Sequence, residues 1–462
     1  MAESTETEKL SLRLLIDEQK NKVVLAESGK DFVDVLFSFL ALPMGTIVRL
    51  LEEHRKSPQV VVGCFNNLYK SVSEMGIESF QTEACKQILL YPRSVNLEKY
   101  RKIKLKIDDT EAVKYFVCSG VHYRESCRTF YSISNKEECE CGEYENSYFV
   151  RRLMNWEILR PEKEQVQGSI FRKDNDGVFV SCKACSFIIT DDLKVAASSM
   201  DYVLNTLRGL GYENSHKLGE ILLDVGTYFA GMFIYFGLSF NRHFYEEANP
   251  SLQGSGDGAG PGQTITFKAF VRKPDTKILC VECGADFIDL LFTFLALPLE
   301  SVWDISGDSI SLGCIGNLFR SFKSLNEGTD ASSSSKSQLP WLYSCPKQLL
   351  DVVTEKQEIY CSFNRSVDKT YGYDFKFTRK RPDWKTARFL VTDDLVIKPK
   401  NLVSNISLLN LKMHMEKEDV EEQVITIGKL EAISLLRASV ITSSALTTCF
   451  WSLIAKKAKE EI

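Results

Sequence analysis

The sequence predicts an α+β protein made of two tandem repeats, each opening with a β-hairpin followed by a buried helix. Three observations carry this. The first is internal repetition: 22–43 reads KVVLAESGKDFVDVLFSFLALP and 277–298 reads KILCVECGADFIDLLFTFLALP, with 13 of 22 positions identical at a constant offset of 255. Chance does not produce that, so the chain holds two copies of one unit. The second is a two-residue alternation of apolar and polar side chains just before the repeat, which marks strands. The third is a run inside the repeat that is apolar almost all round, which marks a buried helix.

The hairpin comes first. Leu12, Leu14 and Ile16 alternate with Ser11, Arg13 and Leu15, a polar run covers 17–22, and a second strand follows over 23–26. Copy two repeats this as Phe267 to Val271, a turn at Pro274 and Asp275, and Ile278 to Val281. Pro274 fixes φ where the turn needs it. The helix is expected over about 31–42. Its polar residues Asp31, Asp34 and Ser38 form one narrow stripe, kept in copy two as Asp286, Asp289 and Thr293. One exposed edge is therefore expected, with the aspartates capping the first turn. Pro43 and Pro298 end the helix. Arg101 to Ile107 alternates as a half-buried strand.

Further matched pieces keep the same order. GCFNNLYKS at 63–71 matches GCIGNLFRS at 313–321, CKQILL at 85–90 resembles CPKQLL at 345–350, and FIITDDL at 187–193 matches FLVTDDL at 389–395. The offset falls to 202 at the last pair, so copy one carries an extra segment of roughly fifty residues. Each copy is expected to end with the FIITDDL or FLVTDDL strand and then helix. The joint is NPSLQGSGDGAGPGQ at 249–263, a Gly/Ser/Pro linker. The expected domains are 1–248 for copy one, with a cysteine-bearing insert near 118–141, and 264–462 for copy two.

Length and composition narrow the function classes. The chain has 462 residues, 57 basic and 62 acidic side chains and a formal charge of −5. That argues against a protein whose whole surface binds nucleic acid. With 44% hydrophobic and 26% charged residues, wholesale disorder and a coiled coil are excluded. The acidic N-terminus resembles neither a signal nor a transit peptide, so a cytoplasmic, reducing location with free thiols is expected. The uncharged runs 225–240 and 438–455 are too short or too rich in Ser and Thr for membrane spans, which want about 20 apolar residues.

The hairpin with SGKDFVDVLFSFLALP, the VGCFNNLYKS and CKQILL stretches and the ITDDL strand resemble a plant family known only as domain of unknown function 674. The resemblance covers essentially the whole chain in two copies. It implies a plant protein, and no chemistry.

The insert holds the sharpest chemical candidate. Cys118, Cys127, Cys139 and Cys141 follow the spacing C-x8-C-x11-C-x-C, with Gly142 after the last. Four thiolates can hold a structural zinc tetrahedrally. The C-x-C is tighter than usual and the first pair wide, so unrelated free cysteines remain the alternative. Related family members resemble this chain in a cysteine-rich stretch ending in C-x-C-G. Cys182 and Cys185 form a C-x-x-C inside a β-like run, away from the helix end that a redox dithiol wants. Cys280 and Cys283 lie in the copy-two hairpin, where packing explains them. Asp191 with Asp192, and Asp393 with Asp394, end strands, and turn formation is the simpler reading. His54, His122, His216, His243 and His414 stand in no catalytic motif. The stretch 376–385, KFTRKRPDWK, could follow a phosphate backbone, but such runs are usually solvated.

These residues lead to a non-enzymatic interaction or scaffold protein with a protein partner. A zinc-containing nucleic-acid binder is the second reading. An enzyme using the repeated aspartates in a cleft between the copies is the third.

Overall fold

The structure is a computed structural model and describes residues 10–53, 62–80, 83–92, 115–117, 138–145, 148–153, 156–158, 186–212, 218–225, 264–306, 314–326, 387–400 and 420–460. The Arg101 to Ile107 strand, the linker and all five histidines lie outside them.

Copy one opens with strands β1 (Leu10–Asp17) and β2 (Lys22–Ser28). Their antiparallel pairing carries a bulge between Leu15 and Ile16. In copy two, β10 (Ile265–Arg272) and β11 (Lys277–Cys283) carry the same bulge between Phe270 and Val271. The hairpin turns match too, with positive φ at Asn21 (48°) and Thr276 (53°). The bulge shifts the phase of alternation, so Val24 and its neighbour Leu25 are both buried on a short strand.

The helix signal is met by α1 (Lys30–Ser38), continued by a 3-10 turn at Phe39–Ala41. In copy two it is one α-helix, which is α6 in chain order (Ala285–Ala296). The expected solvated edge is largely absent. Asp34, Ser38, Asp289 and Thr293 are all buried, and only the first-turn residues stay open, Asp31 half-buried and Asp286 exposed. Ser38 and Thr293 manage this by donating to the carbonyls of Val35 and Asp289, both at 2.6 Å, and neither aspartate is without a partner. Asp31 and Asp286 do lie in first turns, where the helix dipole favours a carboxylate. Asp286 accepts the Phe287 N–H at 3.0 Å.

Pro43 and Pro298 end these helices and start the next, α2 (Met44–Glu53) and α7 (Leu299–Ser306). The two prolines also pair with each other across the copies. Met44 donates to the Leu297 carbonyl at 2.9 Å and Leu299 to the Leu42 carbonyl at 3.0 Å. The arrangement maps onto itself when the copies are exchanged, as at a twofold dimer interface.

The GCFNNLYKS and GCIGNLFRS stretches form α3 (Phe65–Glu74) and α8 (Cys314–Asn326). Between them in sequence, α4 (Glu83–Leu90) follows α3. The ITDDL strands are β7 (Phe187–Thr190) and β12 (Phe389–Thr392), and each turns back into a short β8 (Val195–Ala197) or β13 (Ile397–Pro399).

The expectation of helix from the ITDDL strand to the end of each copy holds only in part, because a further strand intervenes. After α5 (Met200–Gly209), the chain forms β9 (Leu218–Val225), and copy two forms β14 (Val420–Ile427). Each pairs antiparallel along the full length of the first hairpin strand. The open edge of β1 or β10 supplies a ladder that overrides local preference. In β14 the period-2 burial is plain: Gln423, Ile425 and Ile427 are buried, while Glu422, Val424 and Thr426 are exposed. Helices α9 (Lys429–Ile441) and α10 (Ala445–Glu460) then close copy two.

The result is two antiparallel five-stranded sheets of identical order, β8-β7-β2-β1-β9 and β13-β12-β11-β10-β14. One contiguous apolar core joins them through the helices between. On the outer face of the first sheet, Leu207 of α5 packs against Val24, Leu25 and Ile188. Among the described residues, no helix is long and apolar enough to cross a membrane.

Candidate functional site

The repeated TDDL residues make a tight turn in both copies. Leu193 donates to the Thr190 carbonyl and Leu395 to the Thr392 carbonyl, each at 2.9 Å. Leu193 and Leu395 take φ of 61° and 63°, a left-handed conformation costly for leucine. It is the geometry of a three-residue hairpin loop closed by a left-handed residue, where glycine is usual. Leucine is kept because its side chain is buried, completely so at Leu395. The threonine hydroxyl completes the turn. It donates to the carboxylate of Asp192 or Asp394 and accepts the N–H of Lys194 (3.0 Å) or Val396 (3.1 Å).

Each turn is gripped by a helix of the other copy. Asn67 of α3 donates through Nδ2 to the carbonyl of Asp394 at 2.9 Å and to its Oδ2 at 3.1 Å. Asn317 of α8 donates to the carbonyl of Asp192 at 2.8 Å and to its Oδ2 at 3.0 Å. One helical turn on, Ser71 accepts the N–H of Ile397 and Ser321 that of Val195, both at 2.9 Å. Each serine hydroxyl in turn donates to its own helix, at the carbonyl of Asn67 or Asn317. One backbone N–H of each edge strand, that of Val195 in β8 and of Ile397 in β13, is thus satisfied by the opposite copy. Gly63 and Cys64 dock onto α9: Cys64 donates its N–H to the Ser439 carbonyl at 2.8 Å and its thiol to that of Thr442 at 3.1 Å.

The same fragments that repeat in sequence therefore meet in space. A family model described as a protein of unknown function, DUF674, matches residues 6–230 and again 237–430. The chain belongs to the DUF674 family. No curated protein and no solved structure matches it.

In this DUF674 chain the four aspartates of the turns are not equivalent. Burial works against the Asp192 carboxylate, but Lys194 at 2.8 Å and the Thr190 hydroxyl outweigh it and hold its pKa below the ordinary value. Asp191 is exposed and pairs with Lys22 at 3.3 Å. Its counterpart Asp393 is buried beneath α10, where Oδ1 accepts the Thr447 N–H at 2.7 Å. Burial pushes the Asp393 pKa up in spite of that bond and of nearby Lys277. Its Oδ2 has no hydrogen-bond partner among the described residues. Turn formation, the simpler sequence reading, describes all four.

Cys280 and Cys283 are buried in β11, and burial pushes the Cys283 thiol well above its ordinary pKa, as packed strand cysteines should be. Of the zinc candidates, Cys139 and Cys141 lie on the strand β4 (Glu138–Glu145), which pairs with β5 (Tyr148–Leu153) through an irregular register beyond Cys139. Cys118 and Cys127 lie outside the described residues, as do Cys182, Cys185 and the basic stretch 376–385. Among the described residues, no group of three or more His, Cys, Asp or Glu side chains is placed to hold a metal ion.

Asn67, Ser71, Asn317 and Ser321 carry the site, and no role follows for them from the sequence alone. Their signal was present: they are polar residues identical between copies, four apart on one helix face.

Proposed function

We propose that the protein is a non-enzymatic interaction or scaffold protein whose two repeats form one pseudo-symmetric body. The observation that carries this is the use of the repeated polar residues. Asn67, Ser71, Asp192, Asn317, Ser321 and Asp394 are engaged in holding the copies to each other. The Asp191 and Asp393 pair, the acid/base candidates, sit in unlike surroundings, one in a surface ion pair and one under a helix. A protein is the proposed partner, since a net charge of −5 favours no polyanion. A plant cell's cytoplasm is the proposed setting, from the family resemblance and the cysteine usage.

The test is to isolate a binary complex of the full chain with a protein recovered from its native extract. Reconstitution from two purified components supports the reading. Turnover of a small molecule that disappears in a folded Asp393→Asn variant overturns it.

The cysteine set Cys118, Cys127, Cys139 and Cys141 is proposed as a structural zinc site on its spacing, stapling the insert of copy one. Metal content measured by mass spectrometry should show about one zinc per chain, lost in Cys139→Ser/Cys141→Ser. Metal-free protein, purified under reducing conditions without chelator, refutes the site.

A further inference from the structure

Each copy carries both halves of the crossed contact: a helix with Asn-x-x-x-Ser and a Thr-Asp-Asp-Leu turn. Four polar grips repeat residue for residue across the interface, two from asparagines and two from serines. Beside the paired prolines, Met44 donating to Leu297 and Leu299 donating to Leu42 add two further reciprocal backbone hydrogen bonds. Aromatic pairs bridge the copies as well, Phe37 edge-on to Phe322 at 5.2 Å and Phe80 stacked on Phe292 at 5.9 Å. A β-carbon on Gly63 would come within 2.1 Å of the Ser439 carbonyl oxygen, so the approach of copy one to α9 is close at the backbone itself. Among the described residues, the main apolar core runs through both halves. A self-complementary surface of this kind is what a twofold homodimer presents.

We propose that this surface is a recognition interface for a second unit of the same fold. It holds the two halves together without the linker, and it accepts the matching half of another molecule of this chain. The linker then supplies only effective concentration, of the order of millimolar for a short flexible joint. The inference stands apart from the functional reading, since it concerns what each half binds and not what the whole protein binds.

The experiment places a protease recognition sequence within 249–263 of the full chain and cleaves it after folding. The halves are expected to elute together at the size of the intact protein at micromolar concentration. When cleaved protein is mixed with a nitrogen-15-labelled sample, unfolded in urea and renatured, native mass spectrometry is expected to show light–heavy pairs as about half of all pairs. Asn67→Ala/Asn317→Ala in the cleaved protein is expected to weaken association at least tenfold. Halves that separate on cleavage, folded or not, overturn the proposal. So do co-eluting halves that give no mixed pairs after renaturation, or an association unmoved by the double substitution.

Discussion

Asn67→Ala should destabilise copy two, although Asn67 belongs to copy one. The side chain makes two hydrogen bonds to Asp394, one to a neutral carbonyl and one to a carboxylate. A neutral bond is worth about 1 kcal/mol net and a charged one about 1.5–3 kcal/mol. Asp394 is half-buried, so solvent screens the charged bond and the lower end applies, about 2–3 kcal/mol in all. Urea unfolding should show that loss as a lower midpoint at unchanged slope. Asn67→Asp should cost more, since it sets a carboxylate against the Asp394 carboxylate. Combining Asn67→Asp with Asp394→Asn should recover only part of the loss: the side-chain pair can re-form with reversed polarity, but the bond to the residue 394 carbonyl cannot. Hydrogen exchange should localise the effect, with amides of 389–399 losing protection. A loss under about 0.5 kcal/mol, or a loss of protection confined to copy one, would refute the crossed grip.

Further outcomes follow from the same geometry. Burial raises the folded-state pKa of Asp393 above its unfolded value, so charging it opposes folding; the wild type should gain stability relative to Asp393→Asn as pH falls from 7 toward 4, and a difference flat in pH would sink the assignment. Gly63→Ala combines a left-handed φ of 49° with a backbone clash against α9, and should lower the melting temperature by several degrees or prevent folding, whereas Gly209→Ala meets open space and should be nearly silent. Leu395→Ala should cost about 2–5 kcal/mol in equilibrium unfolding, because the buried side chain is lost while the left-handed backbone stays. Cys64, whose thiol burial pushes up to about 12, should resist alkylation at pH 8 in the native protein and react on unfolding, as mapped by mass spectrometry.

Much of the fold is legible in the sequence because the duplication reports it twice. The hairpins, the buried helices and the prolines that end them rest on local signals, and both copies agree on each. The strands β9 and β14 are less legible. LGEILLDV carries three apolar residues in a row and shows no alternation, and only pairing with β1 decides its state. VEEQVITI does alternate and could have been read as a strand. The buried edge of α1 and α6 misleads for a different reason. Aspartate, serine and threonine look solvated in sequence, yet here they are satisfied within the protein. The candidate site is legible as a set of identical fragments and illegible as a contact. Nothing in the spacing of Asn67 and Asp394, 327 residues apart, says that they meet.

That separation bears on how the protein is made. A ribosome adding 5–20 residues per second needs roughly 16–65 s to travel from Asn67 to Asp394. Once residue 248 has been added, the first repeat is complete in sequence but lacks its counterpart until Asp394 is made, and the face that will receive the second repeat's turn is open. Nascent chains on the same message present the same open face, and any second repeat emerging beside it carries the turn that face receives. Spacing between ribosomes, or a chaperone that shields α3, would therefore govern whether the first repeat waits for its own sibling or joins a neighbour's.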